Sequence, residues 1–170
     1  EPKNEEISNL IELIKSGKYK IAENTCKKLI KQFPNSFNLL NFLGLALTNQ
    51  NQISMGIKCY ESAIKFKPDF AQAYNNLGIA LKNIGKINDA SIAYINAIKY
   101  KPDFAEAYNN LGLTFKKLGR FNESIESYQR AIKIRTNFIE AYNNLGLTFE
   151  ELGRFNESIE SYQRAIKIKP

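Results

Sequence analysis

The chain repeats itself every 34 residues, and few folds accommodate such a period. Ala71-Gln72-Ala73-Tyr74-Asn75-Asn76-Leu77-Gly78 returns as Ala105–Gly112 and again as Ile139–Gly146. Residues 105–135 and 139–169 differ at only four of 31 positions: Ala105/Ile139, Lys116/Glu150, Lys117/Glu151 and Arg135/Lys169. A fixed period of this length marks a stacked-repeat architecture. Contacts then run mainly between neighbouring repeats instead of around one central core.

The frame 3–36, 37–70, 71–104, 105–138 and 139–170 places Pro34, Pro68, Pro102 and Pro170 in register, with Thr136 as the departure. Gly17, Gly85, Gly119 and Gly153 fall at a second shared position, where Asn51 departs. Each repeat is thus interrupted by one turn near Gly and one near Pro. The segments between them read as helices. Tyr74, Leu77, Leu81 and Ile84 recur at spacings of three and four, and Ile92, Ala93, Ala97 and Tyr100 are similar but for the adjacent pair 92 and 93; spacings of three and four place side chains on one helical face. Asp103 with Glu106, and Asn137 with Glu140, read as capping pairs for a first helix. Asn88, Asn122 and Asn156 read as caps of a second helix. The expected unit is a helical hairpin.

Gly44, Gly78, Gly112 and Gly146 fall within the first helices, where Gly costs about 1 kcal/mol relative to Ala. Close approach of a second helix explains them, with Ala63, Ala97, Ala131 and Ala165 as the expected matching small position. Tyr60, Tyr94, Tyr128 and Tyr162 are expected to fill the space between repeats.

Composition narrows the function. Net charge is +7, but no frame carries a dense basic block. A solvated surface is the favoured source of the charge; polyanion steering is the alternative, and a nucleic-acid partner is disfavoured. Cys26 and Cys59 fit no metal-ligand or redox spacing, and read as small apolar fillers in a reducing, cytoplasmic compartment. His is absent, which removes the commonest general base. With no phosphate-binding loop or nucleophile elbow either, no enzyme activity, cofactor or metal is expected. No apolar run is long enough to span a bilayer. The chain does not begin with Met, and the expectation is an excised part of a longer protein.

A large aromatic, Leu-Gly three and four residues on, another aromatic, a small residue, an aromatic and a closing Pro together resemble the tetratricopeptide repeat. In the fourth frame they are Tyr108, Leu111-Gly112, Phe115, Ser124, Tyr128 and Ala131. Four repeats match strongly. The first is degenerate, with Asn9-Leu10 in place of Leu-Gly, although Gly17, Tyr19, Ala22 and Pro34 keep the frame.

The resemblance implies an all-α fold: a single array over 1–170, an α-solenoid of five hairpins in a right-handed superhelix. First helices would line a concave groove that binds an extended peptide or partner helix. It also implies groove positions at the second, fifth, sixth, ninth, twelfth and thirteenth places. The fifth and sixth hold Asn75, Asn76, Asn109, Asn110, Asn143 and Asn144. A carboxamide both donates and accepts, so this row can pair with a peptide backbone. It looks like the row in O-linked N-acetylglucosamine transferase repeat regions. The alternative is that these side chains bond to neighbouring helices.

The ninth place is apolar throughout, at Ile11, Leu45, Ile79, Leu113 and Leu147. These residues form either an exposed stripe or part of the packing. Carboxylate-clamping repeats carry cations at the second, fifth and sixth places; here there are none, so that mode lacks its donors. The twelfth and thirteenth places reverse sign from Lys116-Lys117 to Glu150-Glu151. Pairing between adjacent repeats is the preferred reading, and a graded groove the other.

The expected function is protein or peptide binding. Alternatives are a substrate-recruiting arm of a larger enzyme, such as a glycosyltransferase, and a self-assembling scaffold. Ile159, Tyr162 and Ile166 are expected to leave apolar surface open, giving weak self-association through the C-terminal repeat.

Overall fold

A computed structural model describes residues 2–168; the turn expected at Pro170 lies outside them. The described residues form ten α-helices. The chain falls into two compact units, Glu1–Lys86 and Ile87–Pro170.

The first unit contains α1 (Asn4–Lys15), α2 (Tyr19–Ile30), α3 (Phe37–Asn49), α4 (Ile53–Phe66) and α5 (Ala71–Asn83). The second contains α6 (Ile87–Tyr100), α7 (Ala105–Lys117), α8 (Phe121–Ile134), α9 (Ile139–Glu151) and α10 (Phe155–Ile168). Every helix lies where the period predicts one.

The turns within hairpins follow from backbone chemistry. Gly17, Gly85, Gly119 and Gly153 have φ between +70° and +79°, the left-handed region where a Cβ is strained. Asn51, the one departure, takes φ +62°, which Asn tolerates better than most residues. Between hairpins, Pro68 and Pro102 follow two residues after α4 and α6 end, because Pro cannot continue a helix. α8 stops at the same place before Thr136, so Pro is not required. Here Phe138 packs with Ala105, Ala131 and Ala141, and this cluster redirects the chain.

Two packing expectations are corrected. The small partner of the helical Gly is not the alanine of the second helix, since Ala131 faces Ala105, Phe138 and Ala141 instead. The Gly makes room for the tyrosine ring of its own hairpin. A Cβ on Gly44 would fall 2.5 Å from Tyr60 Cε1, and one on Gly112 would fall 2.6 Å from Tyr128 Cε1. The other edge of Tyr128 does reach the next repeat, packing with Leu145 and Phe149.

The capping expectations also fail. α7 and α9 begin after Phe104 and Phe138, and neither has a side-chain cap. Asn88, Asn122 and Asn156 lie inside the first turns of their helices; in α8 the cap position is held by Arg120. Glu123 and Glu157 instead hold the side chains of Arg120 and Arg154, with Nε···Oε2 at 2.7 and 2.8 Å. Ser36, at the start of α3, is a cap: its Oγ accepts from Leu39 N at 3.3 Å.

In the first unit, Leu10, Cys26, Leu39 and Leu47 share one buried cluster. Cys26 and Cys59 are free thiols. Burial pushes the Cys26 thiol up to about 12 and raises Cys59 as well. Cys26 thus acts as the small apolar filler its spacing suggested.

Candidate functional site: the first-helix face

In each unit the first helices of successive repeats lie side by side, α3 beside α5 and α7 beside α9. Their fifth, sixth and ninth places come together on the faces so formed.

The carboxamides bond to one another. Asn76 Nδ2 donates to Asn41 Oδ1 at 2.9 Å, and Asn144 Nδ2 donates to Asn109 Oδ1 at 3.0 Å. The sixth place of one repeat therefore pairs with the fifth place of the repeat before it. Asn76 also accepts from Gln72 Nε2 at 3.3 Å, a second-place contribution that the sequence reading missed. Asn75, Asn76 and Asn109 are buried, Asn110 and Asn144 half-buried, and Asn143 exposed. No first helix follows α9 among the described residues. The bonding of two of these pairs to neighbouring helices is the outcome the sequence left as an alternative. It follows from burial, since a carboxamide deprived of water must find a partner in the protein.

The apolar stripe stays open to solvent. Ile79, Ile11 and Leu147 are 36%, 38% and 45% exposed, while Leu45 and Leu113 are half-buried. Leu113 rests partly against the cluster of Ile125, Tyr128, Leu145 and Phe149.

One of the reversed charges pairs across adjacent repeats, and another is held within its own hairpin. Lys116 Nζ lies 2.8 Å from Glu151 Oε1, and Tyr162 donates to Glu150 Oε2 at 3.0 Å. Other cations are also held by the fold. Arg135 pairs with Glu106 and lies 4.6 Å from the centre of the Phe138 ring. Arg120 and Arg154 lie 4.3 and 4.5 Å from the Phe115 and Phe149 rings.

Glu23 is the most perturbed carboxylate. It is buried, with Lys27 at 2.6 Å and Lys20 at 3.0 Å, and Gln50 Nε2 donates to it at 3.1 Å. The hydrogen bonds from Lys27 and then Lys20 hold its carboxyl down at about 2. The bond from Gln50, which caps the end of α3, links α2 to α3.

Among the described residues, no group of three or more His, Cys, Asp or Glu side chains is placed to hold a metal ion. No helix among them is long and apolar enough to cross a membrane.

Comparison with known proteins agrees with this arrangement. A tetratricopeptide-repeat family model matches residues 103–170, and a TPR-repeat model matches 44–85 and 83–119. The chain belongs to the tetratricopeptide-repeat family and is a protein-interaction module. Among solved structures, a crystal structure of MamA is 28% identical, covering 93% of this chain and 92% of that one at a TM-score of 0.82. Another crystal structure of MamA protein is 26% identical, with 98% and 93% covered and a TM-score of 0.79. The 41-end form of MamA from Desulfovibrio magneticus RS-1 is 19% identical, with 95% and 92% covered and a TM-score of 0.82; at that identity the likeness is one of fold. No curated protein matches the chain.

Proposed function

We propose that the chain binds an extended peptide segment of a partner protein on its first-helix face, through the ninth-place apolar residues. The observation that carries this reading is that Ile79 in the first unit and Leu147 in the second remain exposed, while Asn76 and Asn144 in the same helices are buried and half-buried. Solvent-exposed apolar side chains grouped on a helix face are a common mark of an interaction site. The asparagines contribute mainly by fixing the spacing of the helices, and Asn143 is the one most open to a peptide backbone. The same face would serve a substrate-recruiting arm of a larger enzyme.

Affinity capture from the source lysate tests the reading when the wild type is compared with an Ile79→Asp/Leu147→Asp variant. Both sites are exposed, so the fold should survive. Proteins held by the wild type should be lost from the variant; equal recovery from both contradicts the proposal. Alanine at Asn76 or Asn144 is a poorer probe, because it also breaks a bond between repeats.

One observation favours a second mode, weak self-association through the last repeat. α8 and α10 have the same sequence, yet Ile125 is 8% exposed and its counterpart Ile159 is 54%. Ile166 is 62% exposed. Light scattering against concentration should show mass rising above the monomer, and an Ile159→Lys/Ile166→Lys variant should abolish the rise. A constant monomer mass for the wild type contradicts it.

A further inference from the structure

Between α3 and α5, over the ring of Tyr60 from α4, lies a pocket of about 220 Å³. That is room for several water molecules. Its sides include Leu45 and Ile79, the buried Ala80 lies within it, and the exposed Asn49 and Asn83 also line it. No charged side chain lines the pocket. Tyr60 is buried beneath the pocket and its hydroxyl lies 3.2 Å from Thr48 Oγ1, so the polar end of the ring is already satisfied.

Two periods further along, the equivalent place in the second unit has different chemistry. Lys116, Lys117 and Glu151 stand where Thr48, Asn49 and Asn83 stand in the first. The ion pair between Lys116 and Glu151 spans α7 and α9 there. The same scaffold is therefore neutral and open between α3 and α5, and bridged by charge between α7 and α9.

The geometry points to the pocket between α3 and α5 as the anchor for one bulky apolar side chain of an extended peptide. This rests on the first-helix reading proposed above and specifies its ligand. Leu45 and Ile79, the accessible apolar side chains of the lining, reward an apolar occupant by removing it from water. A Lys or Glu side chain buried there would find no counter-ion, and an unpaired buried charge is strongly disfavoured. The rim suits peptide backbone. Asn49 Nδ2 donates to Leu45 O at 2.9 Å, which leaves its Oδ1 to accept a peptide N–H.

The test is a methyl and amide NMR titration with acetyl-Ser-Gly-X-Gly-Ser-amide peptides at millimolar concentration, X being Leu, Phe, Lys, Glu or Gly. Leu and Phe peptides should shift Leu45 and Ile79 in a saturable way, and Lys, Glu and Gly peptides should not. A Thr48→Lys/Asn83→Glu variant installs the ion pair that the fold already accommodates between Lys116 and Glu151. It should keep its circular dichroism and lose those shifts. Equal shifts with charged peptides, or shifts that persist in the variant, overturn the proposal. If all peptides move Leu113 and Leu147 whatever X is, the first-helix reading stands and the pocket does not. If no peptide moves any of these residues, both fall.

Discussion

Gly112 lacks a Cβ where Tyr128 presses against α7, and the two residues must change together. The added methyl of Gly112→Ala would lie 2.6 Å from Tyr128 Cε1, and Tyr128 is fully buried with nowhere to go. Alanine gains about 1 kcal/mol in helix propensity, but overpacking costs about 1–3 kcal/mol. The expected net effect is destabilisation, read as a lower urea midpoint; a midpoint raised by the propensity gain would refute the packing account. Glu23 makes the second residue-scale prediction. Its carboxyl is held at about 2, against an ordinary value of 4.5. Its contribution is therefore complete above about pH 4.5 and is lost as pH falls toward 2. Glu23→Gln should flatten the acid limb of the stability profile over that window, as followed by thermal melts. The sequence shows that Gly112 is out of place in a helix. It does not show which ring fills the gap, because that depends on how two helices meet.

Helix existence and the turns were legible in the sequence, because Gly at positive φ and Pro after a helix act locally. Helix starts were not legible. Asn88, Asn122 and Asn156 have the chemistry of caps, but each is the second residue of its helix. The carboxamide pairs are also invisible locally, since each joins residues 35 apart in the chain. α8 and α10 show the limit most directly. They share one sequence, but burial depends on the neighbouring helices: α8 packs against both α7 and α9, whereas α10 packs against α9 alone among the described helices. Ile125→Ala should therefore cost about 2–4 kcal/mol, within the range for large-to-small core changes. Ile159→Ala should cost under about 1 kcal/mol, as at an exposed site. Chemical denaturation of the two variants checks this, and equal losses would mean that Ile159 is covered in solution.

For the molecule as a whole, the 34-residue period was enough to indicate the family and the all-α class. Net charge was a poorer guide. Lys116, Arg120, Arg135 and Arg154 are engaged in ion pairs within the fold, so these four cations are held by the protein itself. The apolar stripe was visible as a pattern, but only the structure distinguishes its exposed members, Ile11, Ile79 and Leu147, from half-buried Leu45 and Leu113. The central claim is that these exposed side chains bind the partner, Ile11 and Ile79 in the first unit and Leu147 in the second. The direct measurement is calorimetric titration with a peptide selected on the wild-type protein from a displayed library. Ile79→Asp/Leu147→Asp should weaken Kd at least about tenfold, a change of about 1.4 kcal/mol. Ile92→Asp, at an exposed site on the second helix α6, should leave Kd within about twofold, as expected for a residue outside the binding surface. Unchanged affinity in the stripe variant, or an equal loss in the Ile92 variant, would contradict the claim.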